Sequence, residues 1–248
     1  MDAADIAVVA GAGLVGGFVN AIAGGGSLLL FPALVATGMG TVAANVTNSV
    51  ALWPGYIGNV LALGPGARPK RRQWRAYAVS IVGAVLGCVL LLSTPASAFD
   101  VVVPFLVLGA SALLALQPTI KRALGEHAVD RHGHLLVGAF FGAVYGGYFG
   151  GGLGVILMAL LGLTMAAPLG EVNALKGLLQ LIVSTVTLIV FALFGPVHWW
   201  AVLLAAPLSL VGGAIGGRLV RRLSEPVLRA CVVTFGVVVG IWLALRAF

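Results

Sequence analysis

Two glycine triplets carry the clearest chemistry in the chain. Gly24-Gly25-Gly26 sits in the run Asn20-Ala21-Ile22-Ala23-Gly24-Gly25-Gly26-Ser27, and Gly150-Gly151-Gly152 follows Tyr148-Phe149. A short apolar segment comes after each, 27–39 and 153–167. Glycine disfavours helix by about 1 kcal/mol per residue, so the chain is expected to break at each triplet and restart as a helix. The first amides of a helix lack internal partners. They carry partial positive charge and suit an anion, and glycine lets that anion approach with no Cβ in the way. The predicted chemistry is reversible binding of a small anion between two helix starts, without a fixed charge. Neither triplet is a nucleotide motif: no GxGxxG follows a strand, and no Lys follows Gly26.

Polar side chains stand near both triplets. Asn20 precedes the first and Ser27 follows it; Asn45, Thr47, Asn48 and Ser49 lie in the next segment. The second half supplies Asn173, Lys176, Gln180, Ser184 and Thr185. Polar groups inside a membrane face a cavity or a partner helix, so helix-to-helix hydrogen bonding competes with ligand binding for each. Lys176 has further options: snorkelling, pairing with Glu171, or drawing anions to the inner mouth. The expected anion-binding set is Gly24, Gly25, Gly26, Ser27, Asn20, Asn48, Gly150, Gly151, Gly152, Asn173 and Lys176. No catalytic residue, metal ligand or cofactor is expected. Ser27 has no histidine within a span to act as its base. Cys88 and Cys231 lie in apolar runs without metal spacing. His127, His132 and His134 fall in a polar stretch. No Asp or Glu lies deep in a span, which removes the usual proton-relay carboxylate.

The elements that must hold these residues are membrane helices. Of 248 residues, 60% are hydrophobic and 8% charged, against about 25% charged in an ordinary soluble domain. Mean hydropathy is +1.12. The net charge of +7 is not read as a nucleic-acid footprint, because the basic residues sit in short loops between apolar runs. The acidic Met1-Asp2-Ala3-Ala4-Asp5 start is unlike a signal peptide, so the first apolar run is expected to stay. Apolar segments cover 6–23, 27–39, 41–63, 74–93, 101–117, 135–149, 153–167, 171–194, 199–218 and 228–247. GxxxG pairs such as Gly13/Gly17, Gly83/Gly87 and Gly212/Gly216 read as close helix packing, and Trp74, Trp199 and Trp200 as interface anchors.

The second five segments repeat the first five. The triplets start at 24 and 150, Asn48 is answered by Asn173, Gly64-Pro65 by Gly195-Pro196, and Gly83–Gly87 by Gly212–Gly216. Three stretches, 64–75, 118–134 and 218–229, hold every Lys and Arg except Lys176 and Arg246. Their counterparts 94–100 and 195–198 hold none. The basic bias therefore changes sides between the halves, and the positive-inside rule puts both termini outside. The expected architecture is an all-α integral membrane protein with an inverted-topology repeat, each half a glycine-broken hairpin plus three spanning helices, in eight to ten apolar segments. Residues 1–117 form the first repeat, 118–134 a cytoplasmic linker and 135–248 the second repeat.

The residues Ala23-Gly24-Gly25-Gly26-Ser27-Leu28-Leu29, Phe31-Pro32 and Thr47-Asn48-Ser49 resemble the TauE/SafE family of sulfite and organosulfonate exporters. The second triplet and the Gly83–Gly87 and Gly212–Gly216 stretches fit it too. Asn173-Ala174-Leu175-Lys176 departs from the Thr-Asn or Thr-Ser pair common there, and Met158 stands where the first half has Pro32. The resemblance implies a carrier of small sulfur-containing anions, working outward across the bacterial inner membrane. The expected function is thus a secondary transporter for sulfite or an organosulfonate, its halves rocking around the two hairpins. A channel for anions or small solutes is the alternative, and an intramembrane hydrolase is not favoured. The expected partners are the small anion and membrane lipids, with no nucleic acid; coupling ion and oligomeric state are left open.

Overall fold

A computed structural model describes residues 2–23, 25–62, 73–124, 132–165, 167, 169–219 and 225–247. Ten helices account for nearly all of them: α1 (Ala3–Ala23), α2 (Ser27–Ala36), α3 (Thr41–Ala62), α4 (Trp74–Ser93), α5 (Ala96–Leu124), α6 (His132–Tyr148), α7 (Leu153–Thr164), α8 (Leu169–Phe194), α9 (Trp199–Leu219) and α10 (Glu225–Ala247). Each matches one apolar segment of the sequence, and the chain breaks at both glycine triplets. Gly24, most of the 64–75 loop, His127, Arg131, Arg221 and Arg222 lie outside the described residues.

One boundary differs. The stretch 118–134 is not a plain linker, because α5 runs on to Leu124 and α6 begins at His132. At 1.5 Å per residue the 29 residues of α5 reach about 44 Å, more than the roughly 30 Å hydrocarbon core. The apolar span itself is Ala96–Leu116; the remaining turns carry Lys121 and Arg122 beyond it.

Among the described residues, six helices are long and apolar enough to cross a bilayer: α1, α4, α5, α8, α9 and α10. The protein is an all-α integral membrane protein. Its surface is apolar where a soluble protein would be polar. On α4, Ala76, Ser80, Gly83, Ala84, Gly87, Cys88 and Leu91 face inward, while Ile81, Val82, Val85, Leu86, Val89 and Leu90 are exposed. An apolar face this continuous is stable against lipid and a liability in water. Trp74 and Trp199 are exposed at helix starts, as interface anchors would be. With 10 and 12 residues, α2 and α7 reach only about 15 and 18 Å. Neither crosses the core alone. Seven of the ten α2 residues are buried, so this short helix lies inside the bundle, away from lipid.

Packing follows the small residues. α1 packs most closely on α9, and α4 on α6; α5 meets α10, and α3 meets both α8 and α9. Exchanging the first five helices for the second five turns α1–α9 into α6–α4 and returns α5–α10 and α3–α8 to themselves. Glycine sets the distance in both seams. A Cβ on Gly17 would fall on the Ser209 carbonyl, and one on Gly212 on the Leu14 carbonyl. One on Gly83 would lie 2.6 Å from the Phe140 carbonyl, and one on Gly87 would meet the Val144 carbonyl. The GxxxG pairs are therefore packing devices, as their spacing indicated.

Candidate functional site

The two glycine breaks come together. Phe31 of α2 meets Phe149, at the second break, edge-on with ring centroids 5.7 Å apart. Beside them is a small cavity of about 20 Å³, lined by Ser27, Ser49, Leu52, Tyr56, Gly146, Gly150, Leu153, Val183, Ser184 and Thr187. Its wall holds the first residues of both short helices, Ser27 and Leu153, which stand one repeat length apart. The rest comes from one face of α3, one face of α8, and Gly146 and Gly150 at the end of α6 and in the second break. This volume admits about one water and no larger ligand.

The wall is uncharged and mixes hydroxyls with apolar side chains. Five hydroxyls face it or border it, and their protons are unequally committed. Ser49 Oγ donates to the Asn45 carbonyl at 2.9 Å, Ser184 Oγ to Leu181 at 3.0 Å and Thr187 Oγ1 to Ser184 at 2.9 Å. The Tyr56 hydroxyl instead approaches Ser27 and Asn20. Asn20 is 4% exposed, and neither of its amide atoms completes a hydrogen bond. A buried amide without partners costs roughly 1–3 kcal/mol, a cost that persists where a ligand supplies the missing bonds.

The glycines divide into two roles. Gly150 has φ +76° and lines the cavity; Gly152 has φ +72° and faces Ala110 of α5, with 3.1 Å from its ideal Cβ to the Ala110 Cβ. Both need the left-handed backbone that only glycine adopts readily. Gly26 is pressed against the Gly16 carbonyl, Gly25 against Leu114 and Val232, and Gly151 against the Phe149 ring. These three fill packing contacts off the cavity wall. The Tyr145 hydroxyl donates to the Gly151 carbonyl and holds the second break closed.

Among the other expected residues, Asn48 is 1% exposed with its Oδ1 unpartnered, but it is not on the wall. Asn173 and Lys176 are half-buried in the first turns of α8. They stand about two to four turns before Ser184 and Thr187, and Lys176 has an interaction partner. Thr47 accepts from the His198 amide at 3.0 Å, and Thr185 accepts from Trp53 Nε1 at 3.0 Å; both are structural ties. Tyr56 and Thr187 carry no signal of their own in the sequence, and Gly146, whose GxxxG spacing with Gly142 reads as packing, also lines the cavity. Asn45, Ser49, Leu52 and Tyr56 recur at i, i+4, i+7 and i+11, one face of a helix, and that stripe is the signal that locates Tyr56. Among the described residues no group of His, Cys, Asp and Glu could hold a metal ion.

Comparison with known proteins agrees with this architecture. The chain is 27% identical over 232 residues to a "Probable membrane transporter protein" of Haemophilus influenzae, covering 92% of this chain and 90% of that one. It is 27% identical over 247 residues to "Probable membrane transporter protein ORF9" of Sinorhizobium sp, covering 95% and 89%. It is 26% identical over 236 residues to "Probable membrane transporter protein YfcA" of Escherichia coli K12, covering 92% and 85%. No solved structure matches it. The sequence profile described as "Sulfite exporter TauE/SafE" matches residues 9–243, nearly the whole chain, and the protein is a membrane transporter belonging to the TauE/SafE family.

Proposed function

We propose that this transporter exports a small sulfur-containing anion, sulfite or an organosulfonate, by alternating access. The observation that carries the reading is the small, uncharged cavity where the starts of α2 and α7 meet. Ser27, Tyr56 and the Asn20 amide supply donors from the first half, and the α7 start at Leu153 supplies helix-dipole charge from the second. A site of neutral donors binds an anion and still releases it. An open pore would need a continuous path, whereas this cavity is too small for sulfite, so the ligand enters only when the walls part. Asn173 and Lys176 would meet the anion in its passage toward the start of α8.

The two halves are read as an inverted repeat, 1–117 and 135–248, supported by the exchange pattern of helix packing and by the basic residues of 64–75, 118–134 and 218–229. That charge bias supports both termini outside a bacterial inner membrane.

The test is sulfite flux into proteoliposomes, with taurine-like sulfonates, sulfate and chloride as competitors. Saturable flux with counterflow, inhibited by one of these anions, is expected. Flux that rises linearly without counterflow would make the protein a channel, and no flux for any of them would remove the sulfur anion from the proposal.

A further inference from the structure

Two of the buried amide oxygens that lack a donor lie on α3, between the cavity and the helix start. Asn45 is fully buried, and its Nδ2 donates to the Tyr148 carbonyl at 2.9 Å. That bond fixes the amide orientation and leaves Oδ1 as an acceptor with nothing to accept from. Asn48, one turn further on, likewise buries an unpartnered Oδ1. Residues at i and i+3 are neighbours on one helix face. The Tyr148 carbonyl belongs to the last residue of α6, where helix carbonyls carry partial negative charge. An anion has no use for unpaired acceptors at a negative helix end. A cation does.

We propose that Asn45 Oδ1, Asn48 Oδ1 and the Tyr148 carbonyl oxygen form a site for a monovalent alkali cation, which couples to the anion bound one to two turns away at Ser49 and Tyr56. The proposal rests on the anion-transport reading for its coupling role, but the site itself does not. All three ligands are neutral oxygens. Divalent hard cations are held mainly by carboxylates, and these positions offer none. Alkali ions in broken-helix transporters sit on backbone carbonyls and the C-terminal ends of helices. Thr41 stands one turn before Asn45 on the same face of α3 and lines a cavity of about 560 Å³ that also holds Asp100 and Arg246. Thr41 Oγ1 donates to Asp100 Oδ1 at 2.6 Å, keeping a carboxylate at the mouth. A cation at Asn45 and Asn48 offsets the charge of an anion in a wall that has no basic side chain of its own, which lowers the cost of burying that anion.

The test measures thermal unfolding of the purified protein in detergent, without sulfite, in sodium, potassium or choline chloride at equal ionic strength. A Tm that climbs with sodium or potassium above its value in choline is expected, as for any ligand that binds only the folded state. Asn48→Leu should erase that climb while its Tm in choline matches or exceeds wild type, because an unpaired buried acceptor has gone. Asn48→Asp should raise apparent cation affinity at least tenfold. Equal Tm in all three salts would overturn the site. So would Asn48→Leu melting lower in choline while keeping the climb, which is the behaviour of a purely structural amide. Cation stabilisation without sulfite flux would leave the site standing and sink the sulfite reading; sulfite flux without cation stabilisation would do the reverse.

Discussion

Gly150 and Gly152 differ by two positions and share one backbone demand, so alanine at each separates strain from site chemistry. With φ of +76° and +72°, either alanine is held in the left-handed region at about 1–2 kcal/mol. Steric crowding is similar at both. An added Cβ meets the Gly146 carbonyl at 3.2 Å from position 150 and the Ala110 Cβ at 3.1 Å from position 152. For a chain of this size that predicts a Tm lower by about 2–8 °C in each variant. The two part company at the cavity. Gly150 and Gly146 both line it, so a methyl at 150 takes up space at a wall that encloses about 20 Å³, room for one water. Gly152→Ala puts its methyl against α5 instead. Initial sulfite flux, normalised to folded protein in the liposomes, should fall at least about tenfold for Gly150→Ala, equivalent to about 1.4 kcal/mol. It should stay within about twofold for Gly152→Ala. Parallel loss in both would mean that backbone strain alone governs flux. Wild-type flux in Gly150→Ala would show that this wall does not touch the anion.

Two further outcomes follow from the same geometry. Ser27→Val removes a hydroxyl from the wall and adds bulk, and should raise the half-saturating sulfite concentration about tenfold, read from concentration-dependent uptake; an unchanged value would return Ser27 to packing. Gly17→Ala drives a methyl into the Ser209 carbonyl across the α1–α9 seam, whereas Gly11→Ala on the same helix meets nothing within 4 Å. The first should melt several degrees below wild type, since overpacking costs about 1–3 kcal/mol. The second should match wild type or gain up to about 1 kcal/mol from helix propensity; equal melting of the two would refute the seam.

Hydropathy located all ten helices because in lipid every apolar run must close its own backbone bonds, and a helix is the way to do so. The breaks were legible for a local reason, three consecutive glycines, and the left-handed φ of Gly150 and Gly152 bears it out. What the triplets do was less legible. Gly25, Gly26 and Gly151 are spaced like an anion cradle yet pack against Leu114, Gly16 and Phe149, because a glycine that admits a ligand and one that admits a neighbouring helix look alike in sequence. Tyr56 was missed because one aromatic residue in an apolar run carries no signal until its α3 face is identified. The continuation of α5 past 117 was hidden by Pro118 and the charges after it, which mark a loop in water and a projecting helix end at a membrane.

The glycine seams also limit which parts can move. Halves that rock as intact units would have to separate α1 from α9 and α4 from α6, the two closest helix pairs in the protein. Backbone-to-backbone packing of this kind does not slide. The units that keep their seams are instead mixed: α1, α2 and α3 with α9, and α6, α7 and α8 with α4. They face each other at α3 and α8, where the cavity lies. Disulfides distinguish the two motions. An ideal Cβ on Gly13 would lie 3.0 Å from the Ala205 Cβ, and one on Gly83 3.1 Å from the Ala143 Cβ; the first also lies 2.9 Å from the Ala205 Cα and the second 2.6 Å from the Phe140 carbonyl, so each pair can bridge only where its two helices part slightly toward the usual 3.5–4.5 Å. Each bridge joins the first half of the chain to the second but stays within one mixed unit. In a background with Cys88 and Cys231, both free thiols, replaced by alanine, Gly13→Cys/Ala205→Cys and Gly83→Cys/Ala143→Cys should keep at least half their sulfite flux after oxidation. A bifunctional thiol reagent across Phe31→Cys/Phe149→Cys, which ties one mixed unit to the other, should abolish it. If oxidation of either seam pair stops transport while reduction restores it, the seams do open, and the sequence halves are the moving parts after all.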